Sequence, residues 1–285
     1  MTRRVRLLHP QATGIAYSMT APKDESEFAS WSSEATCGVF GPQTRNWYTS
    51  NQNNAWSELL LTDFFAKLGQ TIKTAALSYE HDFNAKLFAL DRIPQAIEWH
   101  RKSYASFLNK LFRVNCVENR NFPNPPNEGW RTVQRSFEEI DDIVRTTVVV
   151  AYADGPAHLA GAIAESAMAH GLKVKIKDHA QEKGYYAHHV YVYLPLEISS
   201  LVSLGEYPRI EMPVEIQITT ELQGVLREIT HRLYEGERNV GALAADWKNQ
   251  FESGRFRAAY MAHSLRFIEA MIVDLRRTTQ PKAGA

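Results

Sequence analysis

Lys102, Ser106, Lys110 and Arg113 lie in the segment RKSYASFLNKLFR. At about 100° per helical residue they fall within an arc of roughly 80°, with Tyr104, Phe107, Leu108, Leu111 and Phe112 on the other side. Three cations and a hydroxyl along one ridge can neutralise the oxygens of a triphosphate. The same pattern also suits the solvated face of any amphipathic helix. Asp141 and Asp142 lead into the apolar run IVRTTVVVAY, and Glu215 sits inside PVEIQITT. There the period of two puts Glu215, Gln217 and Thr219 on one face and Val214, Ile216 and Ile218 on the other. Taken singly, each acid has the plain reading of a solvated side chain. Two carboxylates held across one sheet would instead suit Mg²⁺, which takes hard oxygen ligands and keeps several waters.

The stretch GYYAHHVYV, residues 184–192, places two histidines at the mouth of a strand. Alternation puts His189, Tyr191 and Tyr193 on one side and His188, Val190, Val192 and Leu194 on the other. Neighbours on a strand diverge, so His188 and His189 cannot share one metal, and a zinc site is not expected. No GxxxxGK[ST] loop and no nucleophile-elbow motif occur.

These residues need a scaffold. Residues 1–55 show no sustained period and are expected to be irregular. A helical pattern begins at Trp56 (Leu59, Leu60, Phe64, Leu68, Ile72, Ala75), and a second helix is expected over Asp82–Leu90. Pro94 suits the first turn of a helix running to about Arg113, and NFPNPPNEGW then ends the helical half. Strand patterns at 143–152, 172–179, 188–195 and 213–220 alternate with a helix at 157–170. The expected fold is α/β (α+β): a mixed sheet of about five strands flanked by helices. The helix Glu221–Tyr234 carries Leu222, Val225, Leu226, Ile229 and Leu233 on a stripe expected to face the core, with His231 on the opposite side. A long helix over about 254–277 closes the chain. The expected organisation is 1–55 irregular, 56–92 N-terminal helices, 93–236 the chemical domain and 237–285 a C-terminal helical extension.

With 44% hydrophobic and 22% charged residues, the 285-residue chain can bury a full core. Thirty-two basic and thirty-two acidic residues cancel, so overall charge argues for no polyanionic partner. Cys37 and Cys116 are too few for a disulfide scaffold, which suits a reducing cytoplasm, and no segment approaches the roughly 18 apolar residues of a membrane span.

In order, Lys102-x3-Ser106-x3-Lys110-x2-Arg113, Asp142 before an apolar strand, Gly184-Tyr185-x-Ala187-x-His189, Glu215-Ile216-Gln217-Ile218 and then His231 resemble the synthetase domain of the RelA/SpoT family over about residues 95–236. The resemblance implies a nucleotidyltransferase-like synthetase fold that moves the β,γ-pyrophosphate of ATP to a ribose 3′-hydroxyl with Mg²⁺. It implies ATP binding by Lys102, Ser106, Lys110 and Arg113, with Arg101 serving where an arginine often stands at His100. It further implies metal binding by Asp142 and Glu215, with Glu215 activating the attacking hydroxyl. Tyr185 would stack on the acceptor base, with His189, Gln217 and His231 around it. One residue of slip exchanges the faces of Asp141 and Asp142, so the ligand of that pair stays open.

The sequence also departs from the family's D-x-x-G-x-R, G-Y-R and E-I-Q-I-R-T. Arg145 replaces the glycine, and Thr147, Tyr186 and Thr219 replace arginines. Each missing arginine removes a charge-assisted contact of about 1.5 to 3 kcal/mol to an acceptor's 5′-phosphates. With the GYYA variant, this resembles the toxin branch, which implies the 3′-terminal adenosine of tRNA as acceptor and an antitoxin as partner. The alternatives are an alarmone synthetase acting on a purine nucleotide and a non-catalytic nucleotide- or RNA-binding module. No membrane partner and no built-in hydrolase are expected.

Overall fold

The computed structural model describes residues 27, 28, 30, 31 and 42–279, other than 90–92, 95, 181, 183, 202, 204 and 239–246, with the backbone alone for 42, 231–238 and 247. Five strands, β1 Trp99–Arg101, β2 Val144–Val150, β3 Lys173–Ala180, β4 Tyr186–Glu197 and β5 Arg209–Thr220, form one sheet in the order β1-β2-β5-β4-β3. Only β2 and β5 are parallel; the other pairs run antiparallel. This is the mixed sheet that the sequence predicts.

One face of the sheet is apolar. Val190, Val192 and Leu194 of β4 and Met212, Val214, Ile216 and Ile218 of β5 are buried there. They share a core with Leu159 and Ile163 of one helix (Gly155–Ala169) and with Leu68 and Ile72 of another (Leu68–Phe83). Apolar surface removed from water at roughly 25 cal/mol per Å² drives this layer. The opposite face keeps the polar residues.

In chain order the helices are α1 Pro42–Leu61, α2 Asp63–Ala66, α3 Leu68–Phe83, α4 Tyr104–Phe112, α5 Ser136–Glu139, α6 Gly155–Ala169, α7 Glu221–Arg238 and α8 Gly254–Thr279. Helix α1 begins at Pro42 rather than Trp56, inside the span expected to be irregular. Its buried side includes Asn51 and Gln52 beside Trp47, Tyr48, Ala55 and Leu59, so no hydrophobic period marks it. Those polar groups serve another segment's backbone. Gln52 Nε2 and the Tyr48 hydroxyl donate to the Lys102 carbonyl (2.7 and 2.8 Å), and Asn51 Oδ1 accepts from the Ser199 amide (2.8 Å).

Two expected helices are corrected. No α-helix covers 84–89: α3 stops at Phe83, where Asn84 takes a left-handed conformation (φ 46°), and Leu90 lies outside the described residues. The helix expected from Pro94 is instead strand β1 followed by α4. Ser103 ends the extended segment and caps α4, its hydroxyl oxygen accepting from the Ser106 amide (3.2 Å). Lys102 is therefore extended, not helical.

Of the stripe expected to bury α7, Leu226 does so, but Leu222, Val225 and Ile229 are 41%, 57% and 65% exposed, and the side chain of Leu233 lies outside the described residues. The helix packs on Gln223, Leu226 and Thr230 instead, because what it covers is polar. Helix α8 buries Ala258, Ala259 and Ala262. These small residues let it lie against Gly184, where a Cβ would meet the Ala262 Cβ at 2.5 Å and φ is +83°. Near its end, Arg276 pairs with Asp154 and the Tyr79 hydroxyl, its guanidinium 4.9 Å from the Tyr152 ring centre. Among the described residues no helix is long and apolar enough to cross a membrane.

The Arg276–Asp154 pair is 11% and 17% exposed. Without Arg276, Asp154 keeps only the Tyr79 hydroxyl (2.6 Å) and the more exposed Arg277 (3.3 Å). Arg276→Ala is expected to lower stability by about 1.5 to 3 kcal/mol, the range for lost hydrogen bonds to a charged group, in urea unfolding, with Arg276→Lys intermediate because it loses the planar fork.

Candidate active site

Strand register assembles the site. On the polar face, His100, Arg145, Glu215, Tyr191 and Lys175 form one row across the five strands, and Thr147, Gln217, His189 and Lys177 form the next. Glu215 stands near the centre, 4% exposed. Its Oε1 lies 2.8 Å from His189 Nδ1 and accepts from the Tyr191 hydroxyl at 3.3 Å. Its Oε2 accepts from Gln217 Nε2 at 2.8 Å. With a proton on Nδ1, His189 Nε2 is free to accept from the Tyr185 hydroxyl, 2.8 Å away. On the other side, Gln217 Oε1 accepts from Arg227 Nη1 at 2.8 Å. Tyr185, His189, Glu215, Gln217 and Arg227 are thus one hydrogen-bonded chain.

The second cluster surrounds Asp142, whose Oδ2 accepts from Lys102 Nζ at 2.7 Å. Burial alone would raise the Asp142 pKa, but Lys110, Lys102 and Arg145 hold it below the ordinary 3.8. Burial, with Lys110 and Arg145 nearby, lowers the Lys102 ammonium in spite of Asp142. Asp141 goes the other way: burial, with Glu215 and Asp142 close, raises it against Lys177 and Lys110. Asp141 is therefore the aspartate that senses the Glu215 charge, and Asp142 the one held by the lysines. Burial also raises the Tyr185 and Tyr191 hydroxyls, so both donate as neutral phenols.

Among the described residues no three His, Cys, Asp or Glu side chains form a ready metal cage. Asp142 Oδ1 is nevertheless buried without a hydrogen-bond partner. An orphaned anionic oxygen is the kind of hard donor a divalent cation takes, with waters and phosphate oxygens completing its shell, so Asp142 fits Mg²⁺.

Other predicted site residues are placed differently. Ser106 is exposed in the first turn of α4, tied to the Ser103 cap (3.0 Å between hydroxyls). Lys110, one turn on, faces both aspartates. Arg113 holds Glu118 through Nε and Nη2 (3.0 and 2.9 Å). Arg101 leaves the site: it turns to α1, donating to Asn53 Oδ1 (2.9 Å) over the Trp56 ring, while His100 takes the polar face. His188 lies on the apolar side, 3.8 Å from Asp178. The backbone of His231 belongs to α7, and its side chain lies outside the described residues.

Arg227 and Lys177 were not anticipated. Arg227 is one turn before His231 on the same helical side, and Lys177 shares a strand face with Lys173 and Lys175; those periodicities were the available signals. The loop carrying Tyr185 is held by α8. His263 Nε2 donates to the Glu182 carbonyl (2.8 Å), Nδ1 accepts from the Tyr186 hydroxyl (2.6 Å), and Lys248 pairs with Glu182 (2.9 Å).

No family model and no curated protein matches the sequence. Among solved structures the chain is similar to the small alarmone synthetase 2 of Bacillus subtilis (16% identity over 78% of this chain and 98% of that one, TM-score 0.46). It is likewise similar to the small alarmone synthetase 1 of Bacillus subtilis bound to its product pppGpp (19%, 80% and 100%, 0.45). A third is a GTP pyrophosphokinase family protein from Streptococcus pneumoniae (17%, 80% and 98%, 0.44).

The two aspartates should act oppositely on stability. Asp142, with a lowered folded pKa, stabilises above pH 3.8 and loses this as pH falls through its folded value; Asp141, with a raised one, costs stability as pH rises above 3.8, in full once pH exceeds that raised value. In urea titrations at neutral pH, Asp142→Asn is expected to destabilise and Asp141→Asn to stabilise. The Asp141 difference should vanish as pH falls from its raised folded value to 3.8, and the Asp142 difference as pH falls from 3.8 through its lowered folded value.

Proposed function

We propose that this protein transfers the β,γ-pyrophosphate of ATP to a ribose 3′-hydroxyl, and that its acceptor is the 3′-terminal adenosine of tRNA. The observation that carries the reading is a buried carboxylate, Glu215, oriented by three neighbours beside an aspartate pair ringed by Lys102, Lys110 and Arg145. It agrees with the motif resemblance to the RelA/SpoT synthetase domain.

In this reading Lys102, Lys110 and Arg145 bind the triphosphate, and Asp142 with Glu215 holds Mg²⁺, with Asp141 alongside. The bound ion supplies neutralisation of phosphate charge. Glu215 takes the proton of the 3′-hydroxyl as its oxygen bonds to the β-phosphorus. The bond from that phosphorus to the α-phosphate oxygen breaks, and AMP leaves. His189, Tyr191 and Gln217 hold Glu215 in place, so alignment and charge neutralisation supply the acceleration. Tyr185, steadied by His189, lies at the acceptor side with Gln217 and Arg227.

Positions 147, 186 and 219 add no cation there: the Thr219 hydroxyl donates to the Tyr186 carbonyl (3.0 Å), and the Tyr186 hydroxyl is taken by His263. This favours an acceptor without 5′-phosphates at the pocket. A second reading, alarmone synthesis on a purine nucleotide, has Arg227 and Arg145 in its favour, since both charges act on Tyr185. An antitoxin partner belongs to the first reading.

Purified protein with Mg²⁺ and γ-labelled ATP is expected to label deacylated tRNA, but not tRNA lacking its terminal adenosine. Label on GDP, GTP or ADP instead establishes the second reading, and no transfer to any acceptor refutes both. Glu215→Gln is expected to lower transfer by about 10²–10⁴-fold, the range for a lost general base.

A further inference from the structure

The cations around the site differ in what holds them. Lys102 is held by Asp142, Arg113 by Glu118 and Arg227 by Gln217. Among the described residues no hydrogen bond or ion pair holds the Arg145 side chain. Its register makes this unexpected, because on the parallel pair of β2 and β5 it stands directly opposite Glu215, on the polar face. Unlike charges so close attract. Glu215 is instead drawn to the far side of β5, where its Oε1 meets His189 and Tyr191 of β4, while Oε2 accepts from Gln217. The two charges stay side by side without meeting. Of the β2 residues on this face, Arg145, Thr147 and Val149, Arg145 alone is charged. Its field acts on Lys102 and Asp142 on one side and on Tyr185 on the other. It stands between the groups assigned to the triphosphate and the tyrosine assigned to the acceptor.

We infer that Arg145 is a catalytic residue of the transfer, whose guanidinium grips the β-phosphoryl oxygens as Glu215 takes the proton of the attacking hydroxyl. This rests on the pyrophosphate-transfer reading and holds for either acceptor. The movement of charge supplies the reason. Before attack Glu215 is an anion one strand away, and it competes with the phosphate for the field of Arg145. When the 3′-hydroxyl passes its proton to Glu215, that competing charge disappears. The hydroxyl oxygen bonds to the β-phosphorus, and the bond from that phosphorus to the α-phosphate oxygen breaks, its electron pair leaving with AMP. Negative charge has then moved from Glu215 onto the phosphoryl and leaving-group oxygens, where Arg145 attracts it most strongly. An interaction stronger in the transition state than in the bound substrate raises kcat. The planar fork of a guanidinium also suits two phosphate oxygens at once, as an ammonium does not. Lys102 and Lys110 would hold the triphosphate before and after this step, while Arg145 tightens during it.

The test uses the full chain, labelled ATP and the acceptor that the wild type labels. Binding is read separately with the α,β-methylene analogue of ATP, which cannot undergo the transfer. Arg145→Ala is expected to lower kcat by about 10²–10³-fold, the range for one lost transition-state donor, and to weaken analogue binding by a smaller factor. Arg145→Lys keeps the charge without the fork, so its kcat should fall between the two. It also serves should the alanine variant fail to fold, with circular dichroism and analogue binding as the check. Added guanidinium ion is expected to restore part of the Arg145→Ala rate, which a merely displaced Glu215 would not allow. An unchanged kcat, an affinity loss as large as the loss in kcat, or a rate that guanidinium does not restore in part overturns the inference and leaves the transfer reading in place. A wild type that transfers to no acceptor overturns that reading, and the inference with it.

Discussion

Glu215 is a carboxylate at 4% exposure near the middle of a five-stranded sheet, and the surrounding structure answers its need for partners. An isolated buried charge is costly. Here the neighbouring antiparallel strand supplies His189 and Tyr191, and its own strand supplies Gln217. Each partner is fixed in turn: His189 by Tyr185, Gln217 by Arg227. A polar network in a low-dielectric surrounding is rigid when every member is satisfied. The network therefore aims one carboxylate and holds Tyr185 by the same bonds.

Asp142 keeps one oxygen unpartnered while its other is held by Lys102. The two halves of the site differ in this respect. Around Glu215 both oxygens accept from neighbouring side chains, Oε2 from Gln217 alone; around Asp142 cations crowd a carboxylate with one oxygen unpartnered, the arrangement expected where a further positive ion and an anionic substrate arrive together.

Both ends of the site are positioned from outside the sheet. Helix α1 grips the Lys102 carbonyl with Tyr48 and Gln52, so the lysine that meets Asp142 is set by the N-terminal helix. Helix α8 fits its alanines against Gly184 and ties Tyr186 through His263. Neither helix adds a side chain to the polar clusters; each sets the backbone of a segment that does.

By itself the sequence determined the sheet, because alternation in β4 and β5 and the β-branched run of β2 leave each strand one apolar face. It also marked most of the candidate residues, since Glu215, Gln217, His189 and the α4 cations occupy positions that strand and helix periods set apart. Helix α1 was hidden because its inward side chains are amides that bond another segment's backbone, and hydrophobic period cannot register them. The inward side of α7 was misjudged for the related reason that it packs on Gln217 and Glu269, so its apolar stripe was left outside. Only tertiary structure decided the register that sets Arg145 beside Glu215, the turn of Arg101 toward α1, the arrival of Arg227, and which aspartate feels Glu215. Those depend on contacts between residues far apart in the chain, and a pattern confined to one element holds no information about the neighbour it will meet.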